Sequence, residues 1–456
     1  MNEAATPGGS ASDSGNNTSA GSRSEKRQVP RRMLAELNVE GRDPLGIIAE
    51  QNTTRVQDLV PLRAKRMSAS PFAFYRGTAA IQAADLAASA HSGILVASCG
   101  DAHVSNFGFY ASPQRTIVAD LNDFDEAAWA PWEWDVKRLV TSVIIGGRAS
   151  GRDSLAVEES ARDAVGAYVH VLQAALELSP LERYYTHFDV KDTKTRLKNS
   201  LGRVLVEAVA DAKKRTGQRA VRRLTRKVEG GDRQFVENPP AMVRVGGDDA
   251  SRTTDLLDQY RLSANVDVRM LLSQYDVKDV ARRAVGVGSV GTRCFVVLLH
   301  DREGNLLLLQ VKQARRSVLE EYGGIRQPSA LTDGIARGGG EGARVVALQR
   351  VLQAFSDPFL GHLRGPVGDF YVRQFHDMKG GIEVEGLDDV PFRRYAMACG
   401  VMLARAHAQS PNLREVVEYI GNGRRVTDGI VAWSEAYADL SLADYRAFVA
   451  SSKGKS

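Results

Sequence analysis

The segment Gly100-Asp101-Ala102-His103-Val104-Ser105-Asn106 sets a carboxylate and an amide five residues apart, with a histidine between them. Two short apolar runs later comes Asp123-Phe124-Asp125-Glu126-Ala127. These residue types suit phosphoryl transfer. Asp101 can take a proton from a hydroxyl. Asn106 and Asp123 can offer hard oxygens to Mg²⁺ beside a nucleoside triphosphate. A plainer reading makes the same Asp and Asn turn residues that satisfy local backbone groups. Gly-Asp-x-His could also belong to a two-metal phosphoesterase. That chemistry needs further His/Asp ligand clusters, and the eight histidines of this chain form none.

Further along, Gly286-Val287-Gly288-Ser289-Val290-Gly291 is a G-x-G-x-x-G. A dinucleotide fingerprint of this kind must open a helix. Here Thr292–Leu299 reads as a strand, so the loop would join two strands and close backbone N–H groups over phosphates through Gly286, Gly288, Ser289 and Gly291. Lys312 ends the apolar run Leu306–Val311, where an unpaired ammonium is costly to bury, and an anion would satisfy it. Asp135, twelve residues after Asp123, could support the Asp101 loop by accepting its backbone N–H groups, or simply sit at a helix start. His103, Asp125 and Arg76 are supporting candidates. A fixed Arg76 guanidinium could meet a phosphate or Asp101.

These residues need a frame. Of the 456 residues, 43% are hydrophobic and 25% charged, as in ordinary globular proteins. That length allows two lobes. Residues 1–30 read as a disordered Ser/Gly/Asn-rich tail. Residues 31–150 run from helices into a strand, the Asp101 loop, a hairpin around Ser112-Pro113 and the Asp123 loop. The period then becomes helical over 151–275, switches to strands near Val277, and gives a small strand-rich lobe at 276–380. Residues 381–456 are helical again. No apolar run spans a bilayer and no secretion signal is visible, so a cytoplasmic protein without membrane partners is expected. Cys99, Cys294 and Cys399 lack metal spacing and are expected as buried thiols. From Lys191 to Arg233, 14 Lys/Arg face 5 Asp/Glu. A nucleic-acid surface is one reading, disfavoured because no aromatic residues are interleaved for stacking; a solvated helical face is the other.

Taken together, the motifs resemble the protein-kinase-like superfamily, in particular its aminoglycoside- and choline-phosphotransferase branch. That branch carries H-G-D-x-H-x-x-N, I-D-F-x-x-A and D-P-x-x-D-L-A. Cys99–Asn106, Asp123–Ala127 and Pro131–Val136 match in that order, and Leu403-Ala404-Arg405-Ala406-His407 fits the branch's L-A-x-L-H helix except at Ala406. The superfamily places its glycine loop and lysine before the catalytic loop. Here they follow it. The resemblance therefore implies an α+β, two-lobed kinase-like fold, circularly permuted and with a helical insertion. It also implies ATP and Mg²⁺ as cofactors and an unknown hydroxyl acceptor. A catalytically impaired nucleotide-binding protein and an AMP transferase are the alternatives. Cys99, Gln310 and the missing acidic partner of Lys312 depart from the pattern; Glu320, Glu321 and Glu341 are the nearby acids. Residues 31–450 also resemble a bacterial group called domain of unknown function 2252. Pro71–Gly77, Asn122–Ala127, Val285–Cys294 and Asp377–Gly380 carry that likeness.

Overall fold

The computed structural model describes residues 28–189, 200–229, 232–246, 248–329, 339–375 and 378–453. Most of the expected tail, part of the basic segment, and Asp377 lie outside them. The chain is a mixed α+β protein whose sheets are antiparallel. Its thirteen described strands are β1 (Leu95–Ser98), β2 (Phe107–Ala111), β3 (Ile117–Leu121), β4 (Ala128–Pro131), β5 (Thr225–Lys227), β6 (Arg233–Phe235), β7 (Met242–Arg244), β8 (Asp276–Arg283), β9 (Cys294–His300), β10 (Leu306–Ala314), β11 (Gly361–Gly365), β12 (Gly368–Gln374) and β13 (Gly380–Gly381).

The largest sheet has the order β11-β12-β10-β9-β8-β7. Its middle strands are rich in Val, Leu and Phe, the residues that pack well on a pleated surface. Side chains alternate between faces. Val297, Leu299, Leu309 and Val311 join one apolar cluster, with Leu257 and Tyr260 of helix Asp248–Ser263. Val296, Leu298 and Leu308 join another, with Val221 and Leu224 of helix Gly217–Leu224. Gln310 and Lys312 continue the Leu308 row. That face of β10 thus turns from apolar to polar as it nears the rest of the molecule. The sheet reaches further back than the change of period near Val277 implies. Three residues of β7 are too few to register as a period, yet they pair with Ala281–Arg283.

The remaining core surrounds helix Trp132–Ala149, whose first sixteen residues are all buried. A helix apolar or buried all round belongs at the centre of a fold. Helices Ser154–Leu176, Asp389–His407 and Arg424–Lys453 pack against it or one another, sharing one apolar cluster with β1, β2 and β4. The expected hairpin is present: β2 and β3 pair from Phe107↔Leu121 to Ala111↔Ile117. The three cysteines are free and buried. Among the described residues no helix is long and apolar enough to cross a membrane.

Candidate active site

The Asp101 loop is shaped from behind. β1 ends at Ser98, and Asp135, in the first turn of Trp132–Ala149, accepts the amides of Cys99 at 2.8 Å and Gly100 at 3.0 Å. The His407 ring lies 3.2 Å from the same carboxylate and meets the Tyr168 hydroxyl at 2.8 Å. Gly100 has φ +78°, and a Cβ there would lie 2.1 Å from the Glu126 carbonyl oxygen. Only glycine meets both conditions. Asn106 donates its amide to the Asp101 carbonyl at 2.8 Å, which leaves its side-chain oxygen to face the cleft.

Asp101 itself is gripped by Arg138, whose Nε donates to Oδ1 at 2.8 Å. Arg138 also donates to Gln82 and to the Tyr75 carbonyl, and lies 4.0 Å from the centre of the Tyr75 ring. The pull of several fixed partners gives Asp101 one orientation. His103 Nε2 is 3.6 Å from the free oxygen, Oδ2. Burial pushes the His103 ring down to about 4, so it is neutral at pH 7. Sequence reasoning missed Arg138. The signal was its spacing: Asp135 and Arg138 are three apart on one helix and face the same side.

Across the cleft, Lys312 is no edge-strand lysine. It is opposite Cys294 on β9 and Tyr371 on β12, and only 3% of its side chain is exposed. Its Nζ lies 2.5 Å from Asp125 Oδ2 and 3.6 Å from Asp123 Oδ1. Tyr371 donates its hydroxyl to the other Asp125 oxygen at 2.6 Å. Burial works against both charges of the pair. The mutual attraction outweighs it, raising the lysine and, with Arg373 and Lys379, holding the Asp123 carboxyl well below the usual range. Burial and the nearby Arg373 push Lys379 down to about 7.

The acidic partner from the following helix is not there. Glu320 pairs with Arg316, Glu341 with Arg344, and Glu321 is exposed at the cleft edge. Helix Gly340–Leu352 instead sends the fully buried Arg344 to the carbonyls of Asp125, Ala127 and Arg315. Lys312 needs no helix acid, because the Asp123 loop supplies two carboxylates. Gln310, on the same face, accepts from Arg373 at 2.9 Å.

The glycine loop Gly286–Gly291 joins β8 to β9, strand to strand. It is held from outside. Arg66 donates to the Gly286 carbonyl at 2.6 Å, Arg55 to Val290 at 2.5 Å, and the Val56 amide to Gly291 at 2.8 Å. Gly291 has φ +91°, and a Cβ there would press on Arg55 at 2.9 Å. Ser289 turns its hydroxyl to the Val285 carbonyl at 2.9 Å. The Gly288 backbone sits against the Arg76 carbonyl.

Between these parts lie two chambers open to solvent. The outer one, on the Asp101 side, is lined by Asp101, His103, Asn106, Arg76 and Gly288. The inner one, on the Lys312 side, is lined by Lys312, Arg373, Lys379, Arg283 and Gln310. Asp123, Gly286 and Ser289 border both. Every sequence-singled residue except Asp135 therefore borders one of two adjoining chambers or, like Gly291, ends the loop that does. Donors suited to Mg²⁺ are the Asn106 amide oxygen and Asp123, whose Oδ1 is buried without a hydrogen-bond partner. Among the described residues no group of three His, Cys, Asp or Glu side chains is placed to hold a metal ion.

A bacterial family model, described as an uncharacterized protein conserved in bacteria (DUF2252), matches residues 55–451. The chain belongs to that family. No curated protein and no solved structure matches it.

Proposed function

For this member of the DUF2252 family we propose an ATP- and Mg²⁺-dependent phosphotransferase of circularly permuted, kinase-like fold that acts on a hydroxyl acceptor. The observation that carries the reading is the meeting of Asp101, Asn106 and Asp123 with Lys312 and the Gly286–Ser289 backbone. About two hundred residues separate the two sets, yet they line two chambers that share Asp123, Gly286 and Ser289. The helix ending at His407 also returns to Asp135, as a kinase-like order closed in space would require.

Each side chain then has a task. Lys312, Arg373 and Lys379 give the inner chamber the positive charge that a triphosphate needs. Bound Mg²⁺, held by Asn106 and Asp123, would neutralise phosphate charge. The acceptor enters from the outer chamber. As its oxygen bonds to the γ-phosphorus and the bond to the bridging oxygen breaks, its proton passes to Asp101 Oδ2. Arg138 keeps the other Asp101 oxygen occupied. The neutral His103 beside Oδ2 does not compete with it as an ion.

Binding of ATP with and without Mg²⁺ tests this reading in the wild type, Lys312→Ala and Asp123→Ala. Both variants are expected to lose affinity, and unchanged affinity in both would refute it. A second reading rests on two departures from the kinase-like pattern: Gln310, bonded to Arg373, and the absence among the described residues of a helix acid at Lys312, whose partners are Asp125 and Asp123. By the resemblance, such departures go with altered nucleotide binding, and so with AMP transfer or binding without turnover. Product label decides: γ-labelled ATP marks phosphoryl transfer, α-labelled ATP marks AMP transfer, and neither marks a binding protein.

A further inference from the structure

We propose that Arg55, Arg76 and Arg315 form an anion subsite in the outer chamber that holds a phosphate or carboxylate group carried by the hydroxyl acceptor. The assignment to an acceptor rests on the phosphotransferase reading; the subsite itself does not.

The three arginines come from separate parts of the chain. Arg55 follows helix Pro44–Thr53, Arg76 ends helix Pro71–Arg76, and Arg315 follows β10. All three line the chamber that contains Asp101. Among the described residues none of them has a carboxylate within ion-pair distance. Arg138, Lys312, Arg316 and Arg344 do, with Asp101, Asp125, Glu320 and Glu341, while Arg66, Arg283, Arg373 and Lys379 of the adjoining chamber do not. The acids Asp101 and Asp125 are thus committed elsewhere. Glu126 accepts the Val318 amide at 2.8 Å, and burial raises it to about 7, so it supplies only partial charge.

Three guanidinium nitrogens in this cluster are stranded, the Nε atoms of Arg55, Arg63 and Arg76. All are buried with no hydrogen-bond partner, and Arg55 is only 9% exposed. Behind the other two, Arg63, 1% exposed, is held through its remaining nitrogens by neutral oxygens of Gln51, Asn52 and Gly77. It adds a further uncompensated charge. Burial lowers Arg55 to about 10, with Arg315 the next contributor. Unpaired buried cations are costly, and the bond from Arg55 to the Val290 carbonyl offsets only part of that cost. A guanidinium fork matches a phosphate or carboxylate edge, and such a ligand would satisfy the stranded donors of Arg55 and Arg76. Because Asp101 shares the chamber, one molecule could set its hydroxyl at Asp101 and its anionic group on the arginines.

The same chemistry could come from the donor's terminal phosphate. Calorimetric titration of the full chain with inorganic phosphate separates the two, in the presence and absence of saturating Mg²⁺ and a non-hydrolysable ATP analogue. Phosphate is expected to bind both forms. Arg76→Gln and Arg315→Gln should each weaken phosphate about tenfold or more, the loss of a charge-assisted bond, while analogue affinity stays within about twofold. Arg316→Gln, whose partner is Glu320, should change neither. Arg315 is half-buried, so its variant keeps the test alive if Arg76→Gln does not fold. Failure of phosphate to bind the analogue-free wild type overturns the subsite. So does displacement of phosphate by the analogue together with lost analogue affinity in the arginine variants, which would make these residues donor ligands. Arginine-dependent phosphate binding without any analogue binding would keep the subsite and remove the phosphotransferase reading.

Discussion

Replacing Asp135 is expected to unfold the Asp101 loop before anything else. The carboxylate is 1% exposed and accepts two amides, from Cys99 and Gly100, in a site closed to water. Asp135→Ala removes both acceptors. A stranded buried donor costs about 1–3 kcal/mol, so two cost roughly 2–6 kcal/mol. Asp135→Asn keeps one acceptor oxygen but turns an NH₂ toward the second amide, and should cost about half as much. Either loss is a large part of a total stability of about 5–15 kcal/mol. Urea unfolding measures it as a lower midpoint at constant slope. Amide exchange at Cys99 and Gly100 should accelerate in both variants, more in Ala. Losses below about 0.5 kcal/mol in both, or an Asn variant weaker than the Ala variant, would refute the view that this carboxylate shapes the loop by its two bonds.

Other outcomes follow from the same geometry. Lys312→Met should weaken nucleotide binding by roughly 30-fold or more, since it takes one partner from a buried charged set; calorimetry checks it. Gly100→Ala, which combines a left-handed backbone with a clash on the Glu126 carbonyl, should destabilise by more than about 1 kcal/mol in urea. Acid stability should depend on His103. Its folded value near 4 lies below the unfolded value near 6.5, so the unfolded chain binds more protons between them. Its contribution is complete above 6.5 and is lost as pH falls toward 4, about 3 kcal/mol at most. His103→Gln should flatten the melting-temperature profile over that window, and an unchanged profile would count against a buried neutral ring.

Much of this was legible where chemistry is local. The β2–β3 hairpin and the strand after Gly291 follow from period and turn residues. The mixed α+β class follows from where those periods change. What stayed hidden was partnership across long separations. Nothing in the spacing of Lys312 says that Asp125, 187 residues earlier, sits at its ammonium. Arg344 is hidden for a related reason: on a helical wheel it is one more polar residue, and only packing shows it capping carbonyls of the Asp123 loop. Strand β7 was too short to carry a period of its own. Arg373 and Lys379 gain meaning only once β12 lies beside β10.

The clamp on the glycine loop also bears on how the molecule is made. Arg55 and Arg66 leave the ribosome early, whereas the carbonyls they hold lie 235 and 220 residues later. At about 5–20 residues per second, that interval is roughly 10–45 s of synthesis. Through it, the arginines that will roof the cleft have no loop to hold. Closing so long a chain segment is an entropic cost met only late. The glycine-loop side of the cleft therefore settles only after Gly286–Gly291 has emerged, and helices Asp389–His407 and Arg424–Lys453, which complete the core behind Asp135, come later still. A nascent chain stalled before Gly286 would lack both that loop and the His407 ring that lies against Asp135, so the Asp101 loop too would stand without part of its backing.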